Sequence, residues 1–183
     1  MEDEPYQSLR LVEDALQLIK RYDPLNYLLV TRNLDRIWVR LIPSAEAHYE
    51  RTLNACVLDK RYLHKEGMTL ERIASTIVHE ATHARLEKWG IIYEEESRYR
   101  IEAICLRREL SFLAKLPDSD SLQEEITHTL EWCATDRDYL SNTGFRDRDE
   151  EGQVELLRYL KAPDWIVRWA VWLIQRRRAR ASG

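Results

Sequence analysis

Apolar residues recur every three or four positions over most of this chain, and that spacing predicts amphipathic helices. In the first helix Leu9, Val12 and Leu16 follow it, and Asp23-Pro24 ends the run. The predicted helices are Pro5 to Tyr22, Thr69 to Gly90, Ser97 to Leu116, Ser121 toward Leu140, Gln153 to Leu160 and Asp164 to about Arg178. The chain is therefore expected to be mostly helical.

A second pattern, the alternation of apolar and polar residues, predicts strands between the first two helices. Arg36 to Ile42 alternates in this way and ends at Pro43. Arg51 to Asp59 is the second predicted strand, and Tyr27 to Thr31 is the third. The expected fold class is α+β, with a small mixed sheet of about three strands beside the helix Thr69 to Gly90.

The length of the chain favours a single domain. Its 183 residues are 44% hydrophobic and 33% charged, which suffices for one substantial core and not for two. We divide it into an N-terminal helix and sheet (1–68), a central pair of helices (69–116) and C-terminal helices (117–183). The segments Ser141 to Gly144 and Arg146 to Glu151 are expected to be a turn and a solvated loop.

Charge and cysteine content narrow the class of protein. The net charge of −4 opposes a nucleic-acid-binding protein, which would neutralise phosphates. Cys56, Cys105 and Cys133 form no CxxC pair and are typical of small buried residues in a reducing compartment. No signal peptide or transmembrane run is evident, so we expect a cytoplasmic protein. An effector secreted without a signal peptide would have the same features.

The candidate chemistry lies in His79-Glu80-Ala81-Thr82-His83, inside the helix Thr69 to Gly90. Residues four apart stack on one helical face, so the two imidazoles can bind one ion. Glu80 lies about 100° around the helix and can act as a base without occupying the metal. Because Thr69 and Gly90 supply caps and the imidazoles face away from the apolar arc, the motif predicts one zinc ion per chain.

A catalytic zinc takes three protein ligands and keeps one position open for water. Trp89 stands where one branch of such proteins has a third histidine, so that ligand is excluded. Glu102 follows His83 after 18 residues, in the next predicted helix, and is the expected third ligand. The nearer triplet Glu94 to Glu96 and the more distant Glu109, on the same helical face as Glu102, remain as rivals.

His79, Glu80, His83, Glu102 and Ala103 together resemble the motif of the gluzincins, a clan of zinc metallopeptidases that includes thermolysin-like enzymes and aminopeptidases. The resemblance covers under a third of the chain. It implies a zincin-like fold with His79, His83 and Glu102 as zinc ligands. It also implies hydrolysis of peptide bonds by a zinc-activated water, with Glu80 as general base.

One departure from the gluzincin pattern concerns the partner that orients a zinc histidine. Thermolysin-like members carry an Asp four residues after the ligand Glu, and this chain has Leu106 there, so the partner must come from elsewhere. The resemblance also implies an edge strand that holds the substrate, for which Leu53 to Val57 is the candidate. His128, Tyr99 and Tyr139 are weak candidates for stabilising the oxyanion.

The last helix carries an unusual pattern. Its stripe of tryptophans and the arginines that follow are Trp165, Trp169, Trp172, Arg176, Arg177, Arg178 and Arg180. We expect these tryptophans to close the core, and the alternative is contact with a partner protein or a membrane surface.

The function that the sequence favours is zinc-dependent hydrolysis of a peptide or protein substrate. The alternative is a zincin-fold metal-binding regulatory or effector protein with weak or no peptidase activity.

Overall fold

The computed structural model describes residues 4–136 and 138–181. The helices are α1 (Glu4–Tyr22), α2 (Pro24–Asn33), α3 (Lys60–Leu63), α4 (Leu70–Lys88), α5 (Glu95–Leu113), α6 (Asp120–Thr135), α7 (Asn142–Tyr159) and α8 (Asp164–Ala181). The strands are β1 (Arg36–Arg40), β2 (Ala47–Glu50) and β3 (Ala55–Asp59). Among these helices, none is both long and apolar enough to cross a lipid bilayer.

The three strands form one mixed sheet in the order β1-β3-β2. The central strand β3 is parallel to β1 and antiparallel to β2, and all five of its residues are buried. The prediction of a mostly helical chain with a small mixed sheet of three strands is confirmed.

Helix α4 forms the centre of the core. Its face of Ile73, Ile77 and Ala81 is fully buried and belongs to a cluster that draws residues from α1 to α6. The hydroxyl of Thr69 accepts the N–H of Arg72 at 3.2 Å, and Gly90 adopts a φ of +79° after the helix ends. Both predicted ends of this helix are confirmed, because caps and apolar spacing agree.

The predicted strand Tyr27 to Thr31 is wrong, because these residues lie in α2. Asp23 ends α1 and then caps α2, since its carboxylate accepts the backbone N–H of Asn26 at 3.2 Å. Pro24 occupies the first turn, where a missing N–H costs nothing. The Asp-Pro pair thus separates two helices instead of a helix and a strand.

The predicted strand Arg51 to Asp59 is correct only in its second half. Residues Arg51–Leu53 form a 3-10 turn, and Asn54 takes a left-handed φ of 44° before β3 begins. Leu53 to Val57 is therefore not the edge strand. The edge strand beside the candidate site is β2. Its four residues are all half-buried, so apolar and polar residues do not alternate clearly along it, and no strand is predicted there.

The C-terminal third contains more helix than predicted. The expected turn and loop between Ser141 and Glu151 lie mainly in α7, which starts at Asn142. The hydroxyl of Ser141 accepts the N–H of Gly144 at 3.0 Å and caps this helix. The run of charged residues suggests a solvated loop, but charged residues such as Arg and Glu are also good helix formers, and here they lie in α7.

The tryptophans of α8 do not close the core. Trp165, Trp169 and Trp172 are 65%, 57% and 48% exposed, and the opposite face of the helix packs on α7. The side chain of Arg180 lies outside the described residues. The expectation that these rings are packed inside is therefore wrong.

Candidate metal centre

His79 and His83 point their imidazoles at one another from the same face of α4. Their Nε2 atoms lie 3.1 Å apart, and their ring centroids lie 4.9 Å apart. Both side chains are mostly buried, at 14% and 13% exposed. The four-residue spacing therefore brings two nitrogen donors to one point, as the helix geometry predicts.

Glu102 reaches the same point from α5, which packs along α4. Its Oε2 lies 3.2 Å from Nε2 of His79, and its Oε1 lies 3.5 Å from Nε2 of His83. Its rivals in the acidic triplet are exposed at the start of α5, where Glu95 accepts the backbone N–H of Asn142 at 2.9 Å. Of the carboxylates considered from sequence, Glu102 is the one that approaches both imidazoles.

Glu109, a rival third ligand in the sequence analysis, lies beside His79 and not between the two imidazoles. Its Oε1 lies 2.5 Å from Nδ1 of His79, on the side of the ring opposite Glu102. A carboxylate there holds the Nδ1 proton and orients Nε2 toward the other donors. Glu109 thus supplies the orienting group that Leu106 cannot, because two helical turns place it on the face of Glu102.

The separations between the donor atoms are close to those of the ligands around a zinc ion. Zinc binds nitrogen and oxygen at about 2.0–2.2 Å, so tetrahedral donors lie about 3.3–3.6 Å apart. The separations between the two imidazole nitrogens and the Glu102 oxygens are 3.1, 3.2 and 3.5 Å. Two imidazoles and one carboxylate fit a zinc ion that keeps a fourth position open.

Cys105 is a further donor that sequence reasoning missed. Its Sγ lies within 4.8 Å of nitrogen donors of His79 and His83. Burial raises the pKa of this thiol, so it is neutral at pH 7. Glu102 lies 3.2 Å and 3.5 Å from the two imidazoles and carries a charge, so Glu102 is the candidate for the third position and Cys105 is the alternative.

The site's electrostatics favour a cation between the two helices. Burial opposes a positive charge on His79, but Glu109 and Glu102 outweigh it and raise the pKa of His79 well above its ordinary value. Burial, with the charge of His79 beside it, lowers the pKa of His83 to about 4. Burial also opposes ionisation of Glu102, yet its hydrogen bond to His79 and the charges of both histidines hold its pKa at about 2.

Among the residues that the structure describes, one group of histidine, cysteine and acidic side chains could hold a metal ion, and it consists of His79, His83 and Cys105, with Glu102 beside both histidines. The chain matches no protein-family model, no curated protein and no solved structure. Its function therefore has to be inferred from the groups in and around this centre.

Glu80 lies beside the imidazoles and is 6% exposed. Burial is the main cause that raises its pKa to about 7, and the charges of Glu102 and Glu109 act in the same direction. The backbone N–H of Tyr49, in β2, faces its carboxylate and opposes part of this rise in pKa. A carboxylate with a pKa near neutrality can both accept and donate a proton at pH 7.

Tyr93 also lies at the candidate centre and is not among the site residues expected from sequence. Its hydroxyl donates to Oε1 of Glu102, and its ring meets that of His83 edge-on at 5.3 Å. The left-handed Gly90 turns the chain back after α4 and brings this tyrosine over the site. A glycine closely followed by an aromatic residue was the only sequence signal for it.

A cleft of about 1300 Å³ opens over the centre, with β2 on one side and α6 and α7 on the other. The backbone C=O of Glu46 accepts the backbone N–H of Asp59. Because hydrogen-bonded and non-hydrogen-bonded residues alternate along an antiparallel strand, Ala47 and Tyr49 direct their peptide groups away from β3. The N–H of Tyr49 meets Glu80 in this way. The free edge of β2 therefore borders the cleft.

The three candidates for an oxyanion donor do not lie at the metal centre. His128 lines a separate shallow groove on α6. Tyr139 lines the rim of the cleft, where the guanidinium of Arg148 stacks 3.7 Å from its ring centroid. Tyr99 accepts a hydrogen bond from its neighbour Arg100 at 2.6 Å. Tyr93 is nearer to the candidate ligands than any of them.

Proposed function

We propose that this protein is a zinc-dependent metallopeptidase with a gluzincin-like site on a zincin-like fold. One observation carries the proposal. Nitrogen and oxygen donors from α4 and α5 converge within 3.5 Å, and a buried carboxyl with a pKa of about 7 lies next to them.

In this proposal His79, His83 and Glu102 hold the zinc, and Glu109 fixes the ring of His79. Zinc, when bound, acts as a Lewis acid and lowers the pKa of water toward neutrality. Glu80 accepts a proton from the attacking water and delivers it to the amide nitrogen as the carbon–nitrogen bond breaks. Its raised pKa suits both transfers.

The cleft supports a peptide as the substrate. An extended chain can pair with the free edge of β2, where Ala47 offers its N–H and C=O. Apolar groups line the cleft beside the metal centre, among them Leu86, Ile92 and Phe145. We therefore expect cleavage beside large apolar side chains, because burying them against these groups favours binding.

The test is Glu80→Gln, which keeps the size of the side chain and removes its ability to take a proton. We expect zinc content to stay at about one per chain, and kcat/KM on a peptide library to fall by about 10²- to 10⁴-fold. The control is Glu71→Gln, at the start of the same helix and outside the cleft. It should keep both zinc and activity.

Undiminished hydrolysis in Glu80→Gln would contradict the proposed role of Glu80. The alternative function, a metal-binding regulatory protein, is favoured by one observation, the exposed tryptophans of α8. It predicts that wild-type protein binds zinc and cleaves no peptide, and that Glu80→Gln leaves its biological effect unchanged.

A further inference from the structure

The outer face of α8 is an apolar surface without a partner in the described residues. Trp165, Trp169 and Trp172 are spaced by four and three residues, so their rings form one stripe along the helix. We call these three side chains the tryptophan face. Such a concentration of exposed aromatic rings marks an interaction surface.

The inner face of α8 makes the attachment to the rest of the chain. Ile166, Val167, Val171 and Ile174 lie on this side and are half-buried. Arg178 also turns inward, where it pairs with Asp147 at 3.1 Å and with Glu150 at 2.6 Å. The inner side of α8 thus packs against the rest of the chain, whereas the tryptophan face does not.

Helix α8 is positively charged, whereas the whole chain is negatively charged. The chain has a net charge of −4, yet α8 contains five arginines and one acidic residue, Asp164. Arg168, Arg176 and Arg177 are exposed, and the guanidinium of Arg176 lies 5.0 Å from the ring centroid of Trp172. The acids that pair with Arg178 lie on α7, away from the tryptophan face. The face and its rim are therefore cationic on an acidic protein.

We propose that the tryptophan face binds the surface of a membrane that contains anionic lipid. Indole rings prefer the boundary between headgroups and acyl chains, and arginines beside them attract anionic headgroups. With 18 residues, α8 is about 27 Å long and would lie in the plane of the interface. The proposal does not depend on the metal centre, which uses none of these residues.

The test is sedimentation of the full chain with vesicles of phosphatidylcholine alone and with 30% phosphatidylglycerol. Wild-type protein should bind the anionic vesicles at least about 10-fold more tightly, and the preference should shrink in high salt. Replacing Trp165, Trp169 and Trp172 together by Ala should weaken binding by about 100-fold or more. The matched control is Trp89→Ala, which removes an equally exposed ring, 63% exposed, outside the face.

A second variant keeps the proposal testable if the triple substitution disturbs folding. Arg176→Gln with Arg177→Gln leaves the rings in place and should abolish the preference for anionic vesicles. Equal binding to both kinds of vesicle, or full binding by this double variant, would overturn the proposal. So would a wild-type dimer that the tryptophan substitutions convert to a monomer, because the face would then be an interface between two copies of this chain.

Discussion

Glu102 and Glu109 leave the same face of α5 and reach opposite nitrogens of one imidazole. The first lies 3.2 Å from Nε2 of His79 and the second 2.5 Å from Nδ1. They have the same side chain but different roles, because only Glu102 also approaches His83. In the proposed site, Glu109 would orient the ring of His79, the role that the gluzincin pattern gives to the position occupied here by Leu106.

We expect Glu109→Ala to weaken zinc binding by about 10- to 100-fold without removing a ligand, because the ring of His79 loses its fixed orientation. Competition with a chelator of known zinc affinity measures the change. The control is Glu96→Ala, an exposed acid in the first turn of the same helix. Equal affinities for Glu109→Ala and wild type would remove Glu109 from the site.

The third ligand is tested by comparing Glu102→Ala with Cys105→Ala. The first should reduce zinc from about one per chain to a small fraction, and the second should leave it near one, since Glu102 and not Cys105 is the assigned donor. Glu95→Ala is the control from the acidic triplet. If Cys105→Ala loses zinc and Glu102→Ala retains it, the third ligand is Cys105 and not Glu102.

The convergence of His79 and His83 follows from helical spacing and was predictable from sequence. The approach of Glu102 depends on how α5 packs on α4, and its only sequence signal was the gap after His83 that resembles the gluzincin motif. The placement of Tyr93 was not predictable. It follows from the path of a loop, and loop paths depend on backbone angles such as that of Gly90.

At the scale of elements, the helices whose caps and periodicity agree were the predictable ones. Helix α4 has Thr69 at its start and a left-handed Gly90 after its end, and it was correct at both ends. Helix α2 and the start of α7 were missed because the Asp-Pro pair and a charged run also occur in turns and loops. Strand β2 was missed because it is short and pairs with β3, an interaction that no local pattern reveals.

Helix α7 forms part of the cleft wall through a close approach at Gly152. A Cβ at this position would overlap the carbonyl of Pro43 and lie 3.0 Å from Cα of Ser44, both in the segment between β1 and β2. No other residue type leaves room for this contact. The glycine therefore lets α7 touch the segment that leads into β2.

We expect Gly152→Ala to destabilise the protein by about 1–3 kcal/mol, because the helix must move away from Pro43. Urea denaturation measures the free energy of unfolding. The neighbouring Gln153→Ala should change it by less than about 0.5 kcal/mol, since Gln153 is exposed. An unchanged or increased stability of Gly152→Ala would show that α7 does not pack here as described.

At the scale of the whole molecule, the first six helices and the last two have different relations to the core. The main buried cluster draws on α1 to α6, whereas in α7 only Glu150, Gly152 and Val154 are buried and in α8 no described side chain is. The candidate metal centre lies between α4 and α5, in the part of the chain that forms the main core. Helix α7 covers it from the side, and α8 presents its tryptophans outward. The proposed chemistry and the proposed membrane contact therefore use separate surfaces.

The central claim is that one zinc ion joins α4 to α5. The most direct measurement is an anomalous difference map, recorded at the zinc absorption edge, from crystals of the zinc-loaded protein. The account predicts one strong peak per chain, about 2.0–2.2 Å from Nε2 of His79, Nε2 of His83 and a carboxylate oxygen of Glu102. A map with no peak between these atoms, or with the ion bound elsewhere, would contradict it.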